Sequence, residues 1–211
     1  MTRTIGIFGE RASFTDEAAE LYLRSVKLKD IKVKYFDTID KALDAVSDKE
    51  CDLSIIPYSN SSVGMIDATE RAVAHARFKM ISKVEIPIHH YLLAQKKMNI
   101  KQIQRIVSHP QALRQCRGYI KNHFPEIILS SAKSTAIAAR ELSEGKYGHE
   151  TAAIGTKQAA QLYGLSIIDS NIEDHHDNST TFLIVANPSK ISRSYSKLKK
   201  ALLWSSARLR S

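Results

Sequence analysis

An α/β fold of two small lobes, with parallel-type sheets around a cleft, is predicted by three features of the 211-residue sequence. Short apolar runs alternate with helical patterns, the mark of parallel strands joined by crossover helices. The alternation runs once through about residue 80 and starts again near residue 105. No Gly/Ser-rich linker, internal repeat or low-complexity stretch separates the two rounds, so the lobes are expected to abut.

The elements follow in order. Residues 5–8 form a short apolar strand ending at Gly9. A helix starts at about Thr15, with Ala18, Leu21 and Leu23 among its apolar positions and Ser13 or Thr15 as N-cap. Ile31, Val33 and Tyr35 alternate with polar residues, which is strand spacing. Thr38 opens a helix whose Ile39, Ala42, Leu43 and Val46 recur at i, i+3, i+4 and i+7. Residues 53–56 are a strand, and a loop over 57–64 leads to a helix ending near His75. Residues 78–85 and 88–94 are two strands that bracket Pro87. In the second round, strands at 105–107, 126–129, 152–154 and 165–168 alternate with helices at 110–123, 134–144 and 156–163. A last strand, 181–185, is closed by Pro188.

Composition narrows the function. With 43% hydrophobic and 25% charged residues the chain lies in the globular range. No apolar run approaches the roughly 18–20 residues that span a bilayer, and the first residues lack the apolar core of a secretory signal. Two cysteines, Cys51 and Cys116, are too few for a disulfide framework or a zinc site. A cytoplasmic protein is expected. The formal charge of +9 invites a nucleic-acid reading, but seven of the 31 Lys and Arg lie in residues 190–211, which hold no acid. Removing those seven leaves 24 positive against 22 negative, a body of only +2. Neither nucleic acid nor membrane is expected as a partner.

In open α/β sheets ligands sit beyond the carboxyl ends of strands, often at helix N-termini. That rule selects the polar segments 9–15, 57–64, 108–115, 130–135 and 178–181, which are rich in hydroxyls and amides and poor in charge. Such segments suit a small polar anion held by neutral donors. There is no Gly-rich phosphate loop, no nucleophile elbow and no His-Glu-x-x-His pair. The doublets His89-His90 and His175-His176 are read as packing or surface residues, and His89 and His90, adjacent on an expected strand, would point to opposite faces. No metal or other cofactor is expected. Ordinary structural roles are also open to the polar residues. Thr180 suits a strand, Asn60 and Ser61 suit a helix cap, and Ser108 suits an N-cap before Pro110. Ser134 and Thr135 are likewise N-cap types, and Cys116 suits a small core position.

Taken together, the polar segments resemble the catalytic domain of prephenate dehydratases. Gly9-x-x-x-Ser13-Phe14-Thr15 resembles the first loop of that family, and Pro57-Tyr58-Ser59-Asn60-Ser61-Ser62-Val63-Gly64-Met65-Ile66 is similar to its second motif. Ser108-His109-Pro110-Gln111-Ala112-Leu113-Arg114-Gln115-Cys116 and Ser134-Thr135-Ala136-x-Ala138-Ala139 resemble the third and fourth. Asn171-Ile172-x-Asp174 with Asn178-x-Thr180-Thr181-Phe182 resembles the last. The resemblance implies a fold related to type II periplasmic binding proteins over residues 1–189. Lobe 1 would take about 1–80 plus 180–189, lobe 2 about 88–175, and a basic tail 190–211.

It further implies a lyase that converts prephenate, a dianion, to phenylpyruvate with loss of water and carbon dioxide, in phenylalanine biosynthesis. Thr180 would be the catalytic hydroxyl. Asn60, Ser61, Ser108, Gln115, Ser134, Thr135, Asn178 and Thr181 would contact substrate. A homodimer is expected, and the apolar patch Ala201-Leu202-Leu203-Trp204 suits either a dimer helix or the remnant of a lost domain. About 22 residues follow Ser189, too few for the regulatory domain that many relatives carry, so phenylalanine feedback through such a domain is not expected. Three positions depart from the family pattern. Ala12 stands for a Gly, Ser59 for a Glu and Thr181 for an Arg. The last two remove one charge of each sign, which would be one coupled remodelling if the family's two residues pair. Alternatives are a related prephenate decarboxylase, an arogenate dehydratase, or a module that binds an aromatic acid without turning it over.

Overall fold

Strand pairing sorts the chain into two sheets. The computed structural model describes residues 3–28, 30–74 and 78–190, so the expected tail, its apolar patch and His75 lie outside the described residues. The elements are β1 (Arg3–Phe8), α1 (Phe14–Ser25), β2 (Ile31–Phe36), α2 (Ile39–Ser47), β3 (Leu53–Asn60), β4 (Gly64–Met65), α3 (Asp67–Ala74) and β5 (Lys79–Pro87). They continue with β6 (Tyr91–Ala94), β7 (Arg105–Ser108), α4 (Pro110–Gln115), α5 (Arg117–His123), β8 (Ile128–Ser131), α6 (Thr135–Ser143), β9 (Thr151–Gly155), α7 (Lys157–Tyr163), β10 (Ser166–Ser170) and β11 (Ser179–Ala186). Two compact units result. The first takes the described residues of 1–10, 15–86 and from 179 onward, and the second takes 11–14 and 87–178. Among the described residues no helix is long and apolar enough to cross a membrane.

The first unit holds a sheet of order β2-β1-β3-β11-β5, with β4 on β3. β1 runs parallel to β2 and β3, as the crossover helices require. β11 is antiparallel to β3. The predicted face of α2 is the observed one: Ile39, Ala42, Leu43 and Val46 are all buried. Three of them pack with Ile56, Leu183 and Val185, each large aliphatic contributing about 1.5–3 kcal/mol by leaving water. Thr38 caps the helix, its Oγ1 accepting from the Lys41 N–H at 3.2 Å. The face of α1 differs from expectation. Ala18, Ala19 and Tyr22 are buried, whereas Leu21 is 46% exposed. Thr15, Ala18, Ala19 and Tyr22 share one stripe at helical spacing, and small alanines let that stripe approach its neighbours closely.

β3 is also longer than expected, continuing through Pro57 to Asn60 instead of turning into a loop. Against β11, Phe182 pairs with Pro57 and Thr181 with Ser59, so Tyr58 is an extra residue. A proline, which cannot donate to a ladder, is tolerated beside such a bulge.

The second unit holds the sheet β10-β6-β9-β7-β8. β7 is parallel to β8 and β9, while β6 is antiparallel to both β9 and β10. Both β6 and β11 therefore oppose neighbours that were expected to be parallel. Neither strand is preceded by a crossover helix, so helix alternation carried no information about its direction. Helices cover both faces, and buried residues alternate between them. Leu92, Ile106, Ala152 and Ile154 join one cluster with Ala112, Ile120 and Phe124. Leu93, Val107 and Ala153 join the other with Ala138, Leu142 and Ala159. Burial on two faces explains why β9, Thr-Ala-Ala-Ile-Gly, has no polar alternation.

The single helix expected over 110–123 is two helices meeting at Cys116, whose φ is −110° and ψ 17°. A remote residue breaks it. Asp174 donates its N–H to Gln115 O at 2.7 Å, and its carboxylate accepts the N–H groups of Gly118 (2.9 Å) and Tyr119 (3.1 Å). A continuous helix would have joined Gln115 O to the Tyr119 N–H. Gly118 is required by this contact, since a Cβ there would lie 2.8 Å from Asp174 Oδ1.

Candidate active site

In the first unit, pairing of β3 with β11 sets Asn60 opposite Thr180 and Ser59 opposite Thr181. Asn60 Nδ2 donates to Thr180 Oγ1 at 2.8 Å and to Ser179 O at 3.0 Å, while Asn60 Oδ1 accepts from the Ser62 N–H at 3.0 Å. Both amide hydrogens are thus engaged, and Asn60 orients Thr180 whatever else it touches. Thr180 is buried, and because its oxygen accepts from Asn60 its own hydroxyl hydrogen points elsewhere. Ser61 and Ser179 close the turn reciprocally: Ser61 N–H donates to Ser179 O, and Ser61 Oγ accepts from the Ser179 N–H, both at 2.9 Å. Ser61 is exposed and Thr181 half-buried.

In the second unit, the expected role of Ser108 as N-cap is corrected. His109 is the cap, its Nδ1 accepting from the Gln111 N–H, and Pro110 takes the first helical position. Ser108 is fully buried and donates to Ile154 O at 2.7 Å, tying β7 to β9. Ser134 does cap α6, with Oγ accepting from the Ile137 N–H at 2.9 Å, and Thr135 is the first residue of that helix. Asn178 is buried, and its carbonyl accepts from the Ile88 N–H at 2.8 Å. Ala12 takes the left-handed region, with φ of 62°. That conformation costs a non-glycine residue about 1–2 kcal/mol. The buried methyl offsets part of it by packing in the core cluster, and the Ala12 carbonyl accepts from Thr156 Oγ1 at 2.8 Å.

The least expected residues are His90 and Glu173. Residues 88–90 precede β6 and are not strand, so the opposite-faces reasoning for His89 and His90 does not apply to them. Glu173, only 3% exposed, accepts from the His90 N–H at 2.8 Å and lies 2.7 Å from His89 Nδ1 and 3.6 Å from His176 Nδ1. His90 Nε2 lies 2.9 Å from Gln115 Oε1, and Phe14 presents a T-shaped contact to the ring at 5.6 Å. Glu173 fell at the unassigned position of the last motif. Its one sequence signal was a second acid beside Asp174 in that motif.

Burial pushes the pKa of His90 down, against the pull of Gln115 and Glu173, and burial with Arg114 pushes His109 down. At Glu173 burial acts upward, but the hydrogen bonds from His89 and His90 outweigh it and the pKa falls. All three groups bind protons more readily in the unfolded chain. Stability is therefore expected to be complete above about pH 6.5, to decline below it as the histidines charge in the unfolded chain, and to decline further below about 4.5 as Glu173 protonates in the unfolded chain. Thermal melts between pH 7.5 and 4 test this, and a midpoint that holds or rises toward pH 5 would refute it.

Comparison with known proteins adds four likenesses. The family model of prephenate dehydratase matches residues 5–190. A prephenate dehydratase of Methanocaldococcus jannaschii is 32% identical over 181 residues, 85% of this chain and 63% of that protein. The solved structure of prephenate dehydratase from Arthrobacter aurescens in complex with L-Phe superposes with a TM-score of 0.77 at 28% identity, covering 88% of this chain and 60% of that one. The chain thus spans less than two thirds of these two relatives. A periplasmic substrate-binding protein of an ABC transporter from Coxiella burnetii shares the fold alone, with a TM-score of 0.51 at 13% identity over 96% of this chain and 91% of that one.

Proposed function

The chain belongs to the prephenate dehydratase family, and from that premise we propose that it converts prephenate to phenylpyruvate. The supporting observation is the donation from Asn60 Nδ2 to Thr180 Oγ1, which leaves the Thr180 hydroxyl hydrogen for a leaving group. In the reaction the ring carboxylate departs as carbon dioxide, and the electrons of that C–C bond enter the ring. Aromatisation then expels the C4 hydroxyl, which takes one proton and leaves as water. An alcohol is too weak an acid to surrender its proton outright, so Thr180 acts by hydrogen-bond donation to the developing hydroxide, with solvent supplying the proton. Aromatisation supplies the driving force, and the protein's task is to bind a dianion and align its departing groups. Gln115, Ser61, Ser134, Thr135 and Asn178 are the proposed neutral contacts to substrate, whereas Thr181, next to Thr180 in β11, faces the other side of the sheet and is withdrawn as a contact.

Incubation with prephenate should yield phenylpyruvate and carbon dioxide in equal amounts. Tight binding without product at saturating prephenate would overturn the lyase reading. Faster production of phenylalanine from arogenate, offered in parallel, would reassign the substrate.

Ser59 and Thr181 are cross-strand partners, and side chains directly opposed in an antiparallel pair lie on the same face. A Glu and an Arg at these positions would be neighbours, so losing both leaves neither charge unpartnered. Ser59→Glu and Thr181→Arg should each lower the melting temperature alone. Together they should recover a coupling of about 0.5–1 kcal/mol in a double-mutant cycle. Strict additivity would refute the pairing.

A further inference from the structure

We propose that His90 is a positioning residue, which holds Gln115 Oε1 so that the Gln115 amide N–H pair is aimed at an acceptor oxygen of the substrate. The inference rests on the reading of the site as a dehydratase. An amide oxygen can only accept, so with Gln115 Oε1 facing the ring at 2.9 Å the arrangement requires the ring proton of His90 on Nε2. Gln115 Nε2 is buried and has no acceptor among the described residues. A buried donor without a partner is costly to maintain, which marks it as a group whose partner arrives with the ligand. A carboxylate or carbonyl oxygen is the matching chemistry.

The surroundings leave the two residues little freedom. The His90 N–H is held by Glu173 Oε2 at 2.8 Å, its carbonyl accepts from the Ile172 N–H at 3.1 Å, and its ring meets Phe14. The Gln115 carbonyl is held by the Asp174 N–H at 2.7 Å. The consecutive residues Glu173 and Asp174 therefore clamp the backbones of both partners. What they do not set is the Gln115 amide, which can flip about its last torsion and present oxygen instead of N–H. The proton on His90 Nε2 decides between the two orientations. A flipped amide would offer an anionic substrate repulsion in place of attraction.

The test uses the full chain with prephenate. His90→Asn, whose amide is too short to reach Oε1, should lower kcat/KM roughly ten- to hundred-fold, the range of one hydrogen bond to a charged group. His90→Gln, which restores an N–H of comparable reach, should return it to within a few fold of the parent. In a Gln115→Ala background His90→Asn should lose nothing further. Losses that multiply would overturn the proposal, because they would mean that His90 acts other than through Gln115. Nitrogen-15 shifts of the His90 ring should report a protonated Nε2 and a bare Nδ1, and the opposite tautomer would also overturn it. If the parent chain neither binds nor turns over prephenate, the dehydratase reading fails, and the ring tautomer still decides whether His90 holds Gln115 as described. Thermal melts of each variant separate loss of orientation from loss of folding.

Discussion

Thr180→Val is expected to lower kcat for prephenate by about 10²–10³-fold while KM changes only a few fold. Valine keeps the β-branched shape that a strand accepts, and its extra methyl takes the place of the hydroxyl. What disappears is the proposed donor to the departing C4 oxygen, a contact that would strengthen only as negative charge develops, together with the acceptor of one Asn60 amide hydrogen. The asymmetry between kcat and KM is therefore the informative result. Thr180→Ser should keep most of the activity, because Asn60 still has an oxygen to orient. Steady-state kinetics with calorimetric binding of prephenate checks both variants. Equal losses in binding and turnover would assign Thr180 to ground-state recognition instead.

Glu173→Ala should lower stability by about 2–4 kcal/mol, the scale of a lost charge-assisted hydrogen bond plus one buried N–H left unsatisfied. For a chain of this size that is roughly a 5–15 °C fall in Tm. The carboxylate is buried at the junction of two segments, 88–90 and 171–175, and no other described side chain accepts from the His90 N–H. Glu173→Gln keeps an oxygen for that N–H and loses the charge, so it should fall between the parent and the alanine variant. Differential scanning calorimetry at pH 7.5 measures all three. A melting temperature for Glu173→Ala within a degree or two of the parent would show that the network is dispensable.

Local pattern carried most of the elements. The spacing of Ile39, Ala42, Leu43 and Val46 sufficed for α2, and Thr38 for its start, because helix face and cap depend on neighbours within a few residues. Failures came where a distant residue supplied the deciding contact. The break at Cys116 depends on Asp174, which bonds to Gly118 across 56 residues of sequence. Pro57 read as the start of a loop because its missing N–H is tolerated only through pairing with β11. In the site, family resemblance drew attention to Asn60, Gln115 and Thr180, whereas the His90–Glu173 contact spans 83 residues and leaves no periodic trace. Burial of a carboxylate is a property of the packed chain, and no local spacing announces it.

The pairing of β3 with β11 also bears on the order in which the molecule is assembled. Asn60 and Thr180 are 120 residues apart, and the whole second unit except residues 11–14 lies between them. Closing so long a loop is entropically unfavourable until the intervening chain is compact. On a growing polypeptide the second unit can condense as soon as Asn178 has emerged, while the sheet of the first must wait for β11. Until then β3 offers an unpaired edge bearing Leu53, Ile55 and Ile56, a surface suited to pairing with the wrong chain. The hydroxyl proposed for catalysis lies on the strand that ends this exposure, so protection from aggregation and completion of the Thr180–Asn60 pair arrive in the same folding step.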